Sequence, residues 1–419
     1  MKIFILTLFF ILFYQFLIAK QIEVCENCKC NTIVSAIEFA NDGDMLLVFK
    51  GIYKEGNIIV DKSITLRGID FPILDGEGKT EVLTVIANGV TIEGLIIQNV
   101  GTSYTEDRAG LRIRKAKNFT IKNNILLNTF FGIYLEHAND GVIENNQVIG
   151  EAEDEMSSGN AIHLWYCKRI KVRRNIVRSH RDGIYFEFVD HSNVTQNVSE
   201  DNLRYGLHFM FSNNDDYFNN EFRRNGAGVA VMFSKKVNMK NNLFGFNWGK
   251  SAFGLLLKEI YDAEIYNNTF FKNTIGIYVE GSTRVNYQFN NFISNGWAMK
   301  IRGGCLDNNV NNNNFVTNTF DLSIGKSSSE NNFDKNYWSA YSGYDLDRDG
   351  IGDVPYRPVK LFNYVVNQTP EATVLLRSLF VDIINFSEKV SPVFTPRNVV
   401  DYQPVMQRII FDKSISLKK

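Results

Sequence analysis

GLHFMF at residues 206–211 and GVAVMF at residues 228–233 carry one device twice: a glycine, apolar residues at alternate places, and a methionine four places after the glycine. The two belong to a longer series. GLRIR begins at Gly110, GIYLE at Gly132, AIHLW at Ala161, GIYFE at Gly183, GLLLK at Gly254 and GIYVE at Gly276, so successive starts lie 22, 29, 22, 23, 22, 26 and 22 residues apart. An asparagine register keeps nearly the same period at Asn124, Asn146, Asn175, Asn197, Asn220, Asn242, Asn268 and Asn291. A repeat this short has no room for a strand plus a crossover helix, and suits one coil of short strands joined by tight bends. The expected fold is all-β: a right-handed parallel β-helix with a short N-terminal helical cap and a partly helical C-terminal extension. Asparagine tolerates left-handed bends and forms hydrogen-bonded ladders between coils, which accounts for its recurrence.

Strand side chains alternate between faces. One place after each glycine stand Leu111, Ile133, Ile162, Ile184, Leu207 and Val229, and three places after it Ile113, Leu135, Leu164, Phe186, Phe209 and Val231. These face the core. The places between them then form one exposed face: Arg112, Tyr134, His163, Tyr185, His208, Ala230, Leu256 and Tyr278, with Arg114, Glu136, Trp165, Glu187, Met210, Met232, Lys258 and Glu280 beside them. Stacked coils lie ~4.8 Å apart, which makes Met210 and Met232 neighbours with His208 on the same face. Thioethers and an imidazole favour monovalent copper over harder ions; the alternative is that methionines in a partly covered groove merely pack. The reading assigns Cu(I) to His208, Met210 and Met232, with Glu187 as an outer acceptor that orients the imidazole. His137, His180 and His191 fall at bends and are expected to be solvated or hydrogen-bonded.

The 419 residues have a formal net charge of -1 and no block of like charge, which excludes a polyanion-binding surface and predicts no nucleic-acid partner. Residues 1–20 begin with one lysine and a long apolar run and are expected to be a Sec-type signal peptide, an uncleaved anchor being the alternative. Residues 21–31 contain CENCKC, in which Cys25, Cys28 and Cys30 make either a soft-metal Cu(I) relay or a disulfide with one thiol over. Cys167 and Cys305 read as buried small hydrophobes. Residues 32–335 are assigned to the β-helix, with a helix over residues 32–44 capped by Thr32 and a loop at residues 150–160. Residues 336–358 hold DLDRDGIGD, where Asp345, Asp347, Asp349 and Asp353 resemble a calcium loop that lacks the closing glutamate, Tyr356 standing in its place. Residues 359–419 form an extension in which an amphipathic helix over residues 369–390 presents Leu375, Leu376, Leu379, Ile383 and Phe386, for docking or for capping the solenoid.

The stretches RYGLHFMFSNND, GAGVAVMFS and NYWSAYSGYDLDRDGIGDVPYRP, followed by LFNYVV and SPVFTP, resemble the NosD family of nitrous oxide reductase maturation proteins over nearly the whole chain. That resemblance implies a periplasmic, copper-handling accessory protein and not an enzyme. It implies docking on an ABC-type transporter of NosF and NosY, copper received from the lipoprotein NosL, and assembly of the copper centre of nitrous oxide reductase. ATP hydrolysis falls to the partner, since the chain has no GxxxxGK[ST] loop. The alternatives are a polysaccharide lyase, hydrolase or epimerase, for which Tyr134, Trp165 and Tyr185 would stack sugars and Glu136 and Glu187 would flank the bond, and a scaffold that binds no metal.

Overall fold

The computed structural model describes residues 19–103, 105–250, 252–325, 330–390 and 399–410. The expected signal peptide and the SPVFTP stretch lie almost wholly or wholly outside the described residues. The chain winds as a right-handed parallel β-helix of about 14 turns, with three parallel sheets of 14, 12 and 13 strands along its sides. Every glycine-led motif lies in the 12-stranded sheet, and its inward residues stack in register: Leu111 on Ile133, Ile133 on Ile162, Ile162 on Ile184, Ile184 on Leu207, Leu207 on Val229. All are fully buried, and burying a side chain of this size contributes about 1.5–3 kcal/mol. The first strand, Gln21–Val24, already pairs with Met45–Val48, so the solenoid begins inside the cysteine-containing segment.

The leading glycine is needed for close approach. A Cβ on Gly206 would lie 2.7 Å from the Gly228 carbonyl oxygen and 2.6 Å from Asn225 Nδ2, distances no side chain tolerates. The asparagine ladder lines one corner inside the coil. Asn197 donates its backbone N–H (2.9 Å) and its Nδ2 (3.1 Å) to Oδ1 of Asn220, and its Nδ2 also reaches the Val172 carbonyl at 2.9 Å. The left-handed residue is the one before each ladder asparagine, as at Gln196 and Asn219. For that reason the ladder passes through Asn290, preceded by left-handed Phe289, and not through Asn291, which sits in the following strand and bonds to Asn314. A second ladder, Asn202–Asn225–Asn247–Asn273–Asn295–Asn318, runs along another corner.

Both ends are closed. At the N-terminus a helix spans Ile33–Phe39, shorter than the segment read from sequence, with Thr32 accepting from Ser35 N. Glu55 accepts from the N–H groups of Ile33 (2.8 Å) and Val34 (2.9 Å), while Lys62 donates to the carbonyls of Ile37, Glu38 and Ala40, each at 2.8 Å. Opposite charges thus meet the two ends of the helix dipole. At the other end buried Asp401 takes the place of the next ladder asparagine, accepting from Asn336 N (3.0 Å), Asn336 Nδ2 (3.2 Å) and Trp338 Nε1 (2.9 Å).

The C-terminal helices lie on the outer face of the 12-stranded sheet and do not plug the solenoid end. Phe362 and Val366 of helix Leu361–Gln368 and Val381 of helix Leu379–Val390 pack on Ile275, Trp297 and Phe320. The single helix expected over residues 369–390 is broken. Pro370 starts a 3-10 segment, Pro370–Leu375, and Leu376 turns extended before Arg377, whose φ of 71° is left-handed. The break lets Leu376 pack against the cluster, while Leu375, Leu379, Ile383 and Phe386 stay exposed. Among the described residues no helix is long and apolar enough to cross a membrane.

Candidate functional site

The strands Asn160–Trp165, Asp182–Glu187, Tyr205–Met210 and Ala227–Met232 build the bare part of the outer face. Met210 pairs with Met232 in direct register, with Glu187 one coil before and Lys258 one coil after. Both thioethers are half-buried. The Tyr185 hydroxyl donates to Met210 Sδ at 3.7 Å, a distance suited to sulfur.

The column beside the methionines is not exposed as its alternation predicts. Tyr134, His163, His208, Ala230 and Leu256 are all buried, because neighbouring coils stand close enough for large outward side chains to cover one another. Rings follow in sequence: Tyr134 to His163 at 4.5 Å between centroids, His163 to Tyr185 at 4.7 Å, Tyr185 to His208 at 4.9 Å. Burial, aided by the Arg181 charge, pushes His163 down to about 3, so it is neutral in the fold. Ala230 follows His208 in the column and replaces a ring by a methyl group.

His208 is only 6% exposed, and neither of its ring nitrogens has a hydrogen-bond partner. The carboxylate that approaches it is not Glu187, which points outward in the methionine column, but Asp182, whose Oδ2 lies 3.6 Å from Nδ1. Asp182 is fully buried; burial alone would raise its pKa, but the hydrogen-bonded Arg204 guanidinium and the nearby His208 ring hold it below the usual carboxylate range. Sequence reading missed Asp182 because it precedes the glycine, a place filled by Asn160 and Tyr205 in the adjacent coils, and its recurrence as an outward position was the available signal.

Next to the methionines the turn residues His137, Tyr166, Phe188, Phe211 and Phe233 stack along four coil steps at 4.5 to 5.3 Å, all with left-handed φ of 51–53°. Lys115 and Glu259 occupy this corner on the flanking coils. His191 is exposed and meets Asp190 at 2.8 Å, and His180 is buried against Thr129 and the Arg178 carbonyl.

The other candidates lie elsewhere. Cys25 and Cys28 form a disulfide and Cys30 is a buried thiol, so the three sulfurs do not make one thiolate cluster. Seven coils separate that end from the methionines, roughly 35 Å at ~4.8 Å per coil, so the two cannot share an ion. Cys167 and Cys305 are buried as expected. Asp345, Asp347 and Asp349 converge with ligand oxygens within 4.8 Å of one another. Asp353 is not part of that group; its Oδ2 accepts the Leu346 N–H at 2.7 Å, closing the loop. Of the residues expected to stack sugars, Tyr134 is buried, the ring of Tyr185 lies between two imidazoles and Trp165 is half-buried against His137 and Tyr166, while Glu136 is engaged by Arg112 (3.7 Å) and Arg114 (3.5 Å).

Fold and face together describe a parallel β-helix with two in-register methionines on one outer side. Residues 150–343 match the family described as periplasmic copper-binding protein (NosD). The chain is 28% identical over 430 residues to the probable ABC transporter binding protein NosD of Pseudomonas aeruginosa, covering 89% of this chain and 91% of that one. To the protein of the same name from Stutzerimonas stutzeri it is 25% identical over 373 residues, covering 84% and 85%. The chain is thus similar to NosD proteins over most of its length. Solved structures share the fold at low identity. A GH87 α-1,3-glucanase catalytic unit from Streptomyces thermodiastaticus matches with TM-score 0.54 and 12% identity, over 74% of this chain and 65% of that one. The DFA-IIIase of Arthrobacter chlorophenolicus matches with TM-score 0.54 and 14% identity, over 70% and 94%.

Proposed function

We propose that this protein carries Cu(I) as cargo in the periplasm and hands it on during assembly of the copper centre of nitrous oxide reductase, without itself catalysing a reaction. The observation that carries the reading is the in-register pair Met210 and Met232 beside His208, a buried imidazole with both nitrogens unpartnered. Two thioethers and one imidazole suffice for a monovalent soft ion. Half-buried sulfurs leave an open side through which the ion enters and leaves. The family description and the relatives' names support copper and an ABC transporter partner; the finer assignment is to transporter subunits NosF and NosY, with NosL as copper donor.

The exposed Leu375, Leu379, Ile383 and Phe386 on the C-terminal helices form the docking element of this reading. They share the outer face with the methionines, which would hold the cargo site at a fixed distance from the transporter. Asp345, Asp347 and Asp349 are assigned to calcium as a brace for the C-terminal end, where Ile351 pairs with Val405. The glycan-cleaving alternative would need Glu136 free, and Arg112 and Arg114 hold it.

The test is an anaerobic Cu(I) competition titration of the parent against His208→Ala/Met210→Ala/Met232→Ala, and separately against replacement of the three N-terminal cysteines by serine. Loss of affinity in the groove variant alone supports the reading; unchanged affinity there defeats it. Truncation after Pro358 tests docking: co-purification with the transporter should be lost.

A further inference from the structure

A buried imidazole without hydrogen bonds is a costly arrangement. Leaving a buried polar atom unmet costs about 1–3 kcal/mol, and such groups are rare enough in folded proteins to call for a reason. Around His208 the reason is visible. From its own strand Tyr205 stands tilted at 4.8 Å, from the preceding coil Tyr185 stands edge-on at 4.9 Å, and on the following coil the small Ala230 is the neighbour. Among the described residues the carboxylate that comes near His208 is Asp182, and it is already fixed. Arg204 donates to it twice, Nε to Oδ1 at 2.9 Å and Nη2 to Oδ2 at 2.5 Å, and the Tyr205 N–H reaches Oδ1 at 3.2 Å. The 3.6 Å between Asp182 Oδ2 and His208 Nδ1 is too long for a hydrogen bond. A turn of the ring that closes this gap by less than about 1 Å makes one.

We infer that Asp182, held in place by Arg204, is a positioning residue that takes the Nδ1–H of His208 when Nε2 binds a soft monovalent ion, fixing the tautomer and aiming the ring at Met210 and Met232. This rests on the copper reading above and adds to it the group that makes His208 a ligand. Metal-bound imidazoles commonly donate their second N–H to such a carboxylate, and loss of that partner typically lowers metal affinity 10–100-fold. The His208 ring is therefore short of two hydrogen-bond partners, and a bound ion supplies one directly and the other through Asp182. The Tyr185 hydroxyl on Met210 Sδ occupies one sulfur lone pair and leaves the other for the ion.

Two measurements test this on the full chain. In Cu(I) competition titrations Asp182→Asn should bind about 10–100-fold more weakly than the parent. Nitrogen-15 NMR of the parent, loaded with Cu(I) or Ag(I), should show His208 metallated at Nε2 and protonated at Nδ1. Metallation at Nδ1 overturns the inference, and so does parental affinity in Asp182→Asn. If Asp182→Asn fails to fold because Arg204 is left unpaired, the NMR result on the parent decides alone. The copper reading fails separately: a His208/Met210/Met232 triple variant that binds like the parent removes both, whereas loss in the triple variant with parental affinity in Asp182→Asn removes only the role of Asp182.

Discussion

Two stretches of the same sheet put one coil design to opposite uses. From residue 253 to 320 the position before each glycine or its equivalent carries Phe253, Ile275, Trp297 and Phe320, and the C-terminal helices cover them. From residue 160 to 227 the same position carries Asn160, Asp182, Tyr205 and Ala227, with no helix across it among the described residues. The inward residues are interchangeable between the two stretches, with Leu207 and Val229 in one and Leu255 and Ile277 in the other. Inward positions build the coil; outward positions decide whether the face is roofed or left open to a ligand.

The largest test of this contrast is Trp297→Ala. It removes a ring stacked on Phe320 at 4.3 Å and part of the floor beneath the helices, which should cost about 3–5 kcal/mol. Thermal melting should fall and the helices should become protease-sensitive. Copper titration should be unchanged, since Trp297 lies three coils from Met232. A linked loss of copper binding would mean that the two stretches are not independent.

Acid should act on the open stretch. His163 and His180 are held neutral by burial, down to about 3 and about 4 against an ordinary 6.5. As pH falls below about 6.5 the unfolded chain gains protons that the fold excludes, so each imidazole lowers stability by about 1.4 kcal/mol per pH unit until its folded value is reached. Denaturant titrations at pH 7, 6 and 5 should show the decline, and His163→Phe should reduce its slope. Base should act on the covered stretch with the opposite sign. Burial, with the Arg302 charge, lowers Lys300 to about 8; between there and 10.5 the unfolded chain holds the extra proton, so this group's contribution rises with pH. Lys300→Met should remove that rise.

Smaller effects separate metal binding from packing. Met210→Leu with Met232→Leu conserves volume and should change stability by less than about 1.5 kcal/mol, while lowering Cu(I) affinity by at least about tenfold per thioether, or ~1.4 kcal/mol each. If affinity persists, the sulfurs only pack. The smallest change expected is for Phe211→Asn. The stacking on Phe188 and Phe233 at 5.2 Å is lost, but asparagine suits the left-handed backbone at φ 51°. The net shift should stay within about 1 kcal/mol, read by melting.

Much of this molecule was legible as local pattern. Alternation with period two and a glycine every 22 or so residues determined the coil, the inward column and the pairing of Met210 with Met232, because strand geometry leaves no freedom once the register of one coil is known. Thr32 as a helix cap and the convergence of Asp345, Asp347 and Asp349 were readable for the same reason: each is settled within a few residues of chain. What only the tertiary structure decided depends on neighbours a full coil away. Burial of His208 depends on Tyr185 and Tyr205 reaching over it. The choice of Asp182 over Glu187 depends on Arg204, which reaches back across one coil. The ladder runs through Asn290 because the bend falls at Phe289, and its last member is Asp401, 65 residues beyond Asn336. The break at Arg377 follows from the pull of Leu376 onto a floor made by distant coils. Such choices are made by side-chain reach between coils, a quantity that periodicity along one strand does not contain.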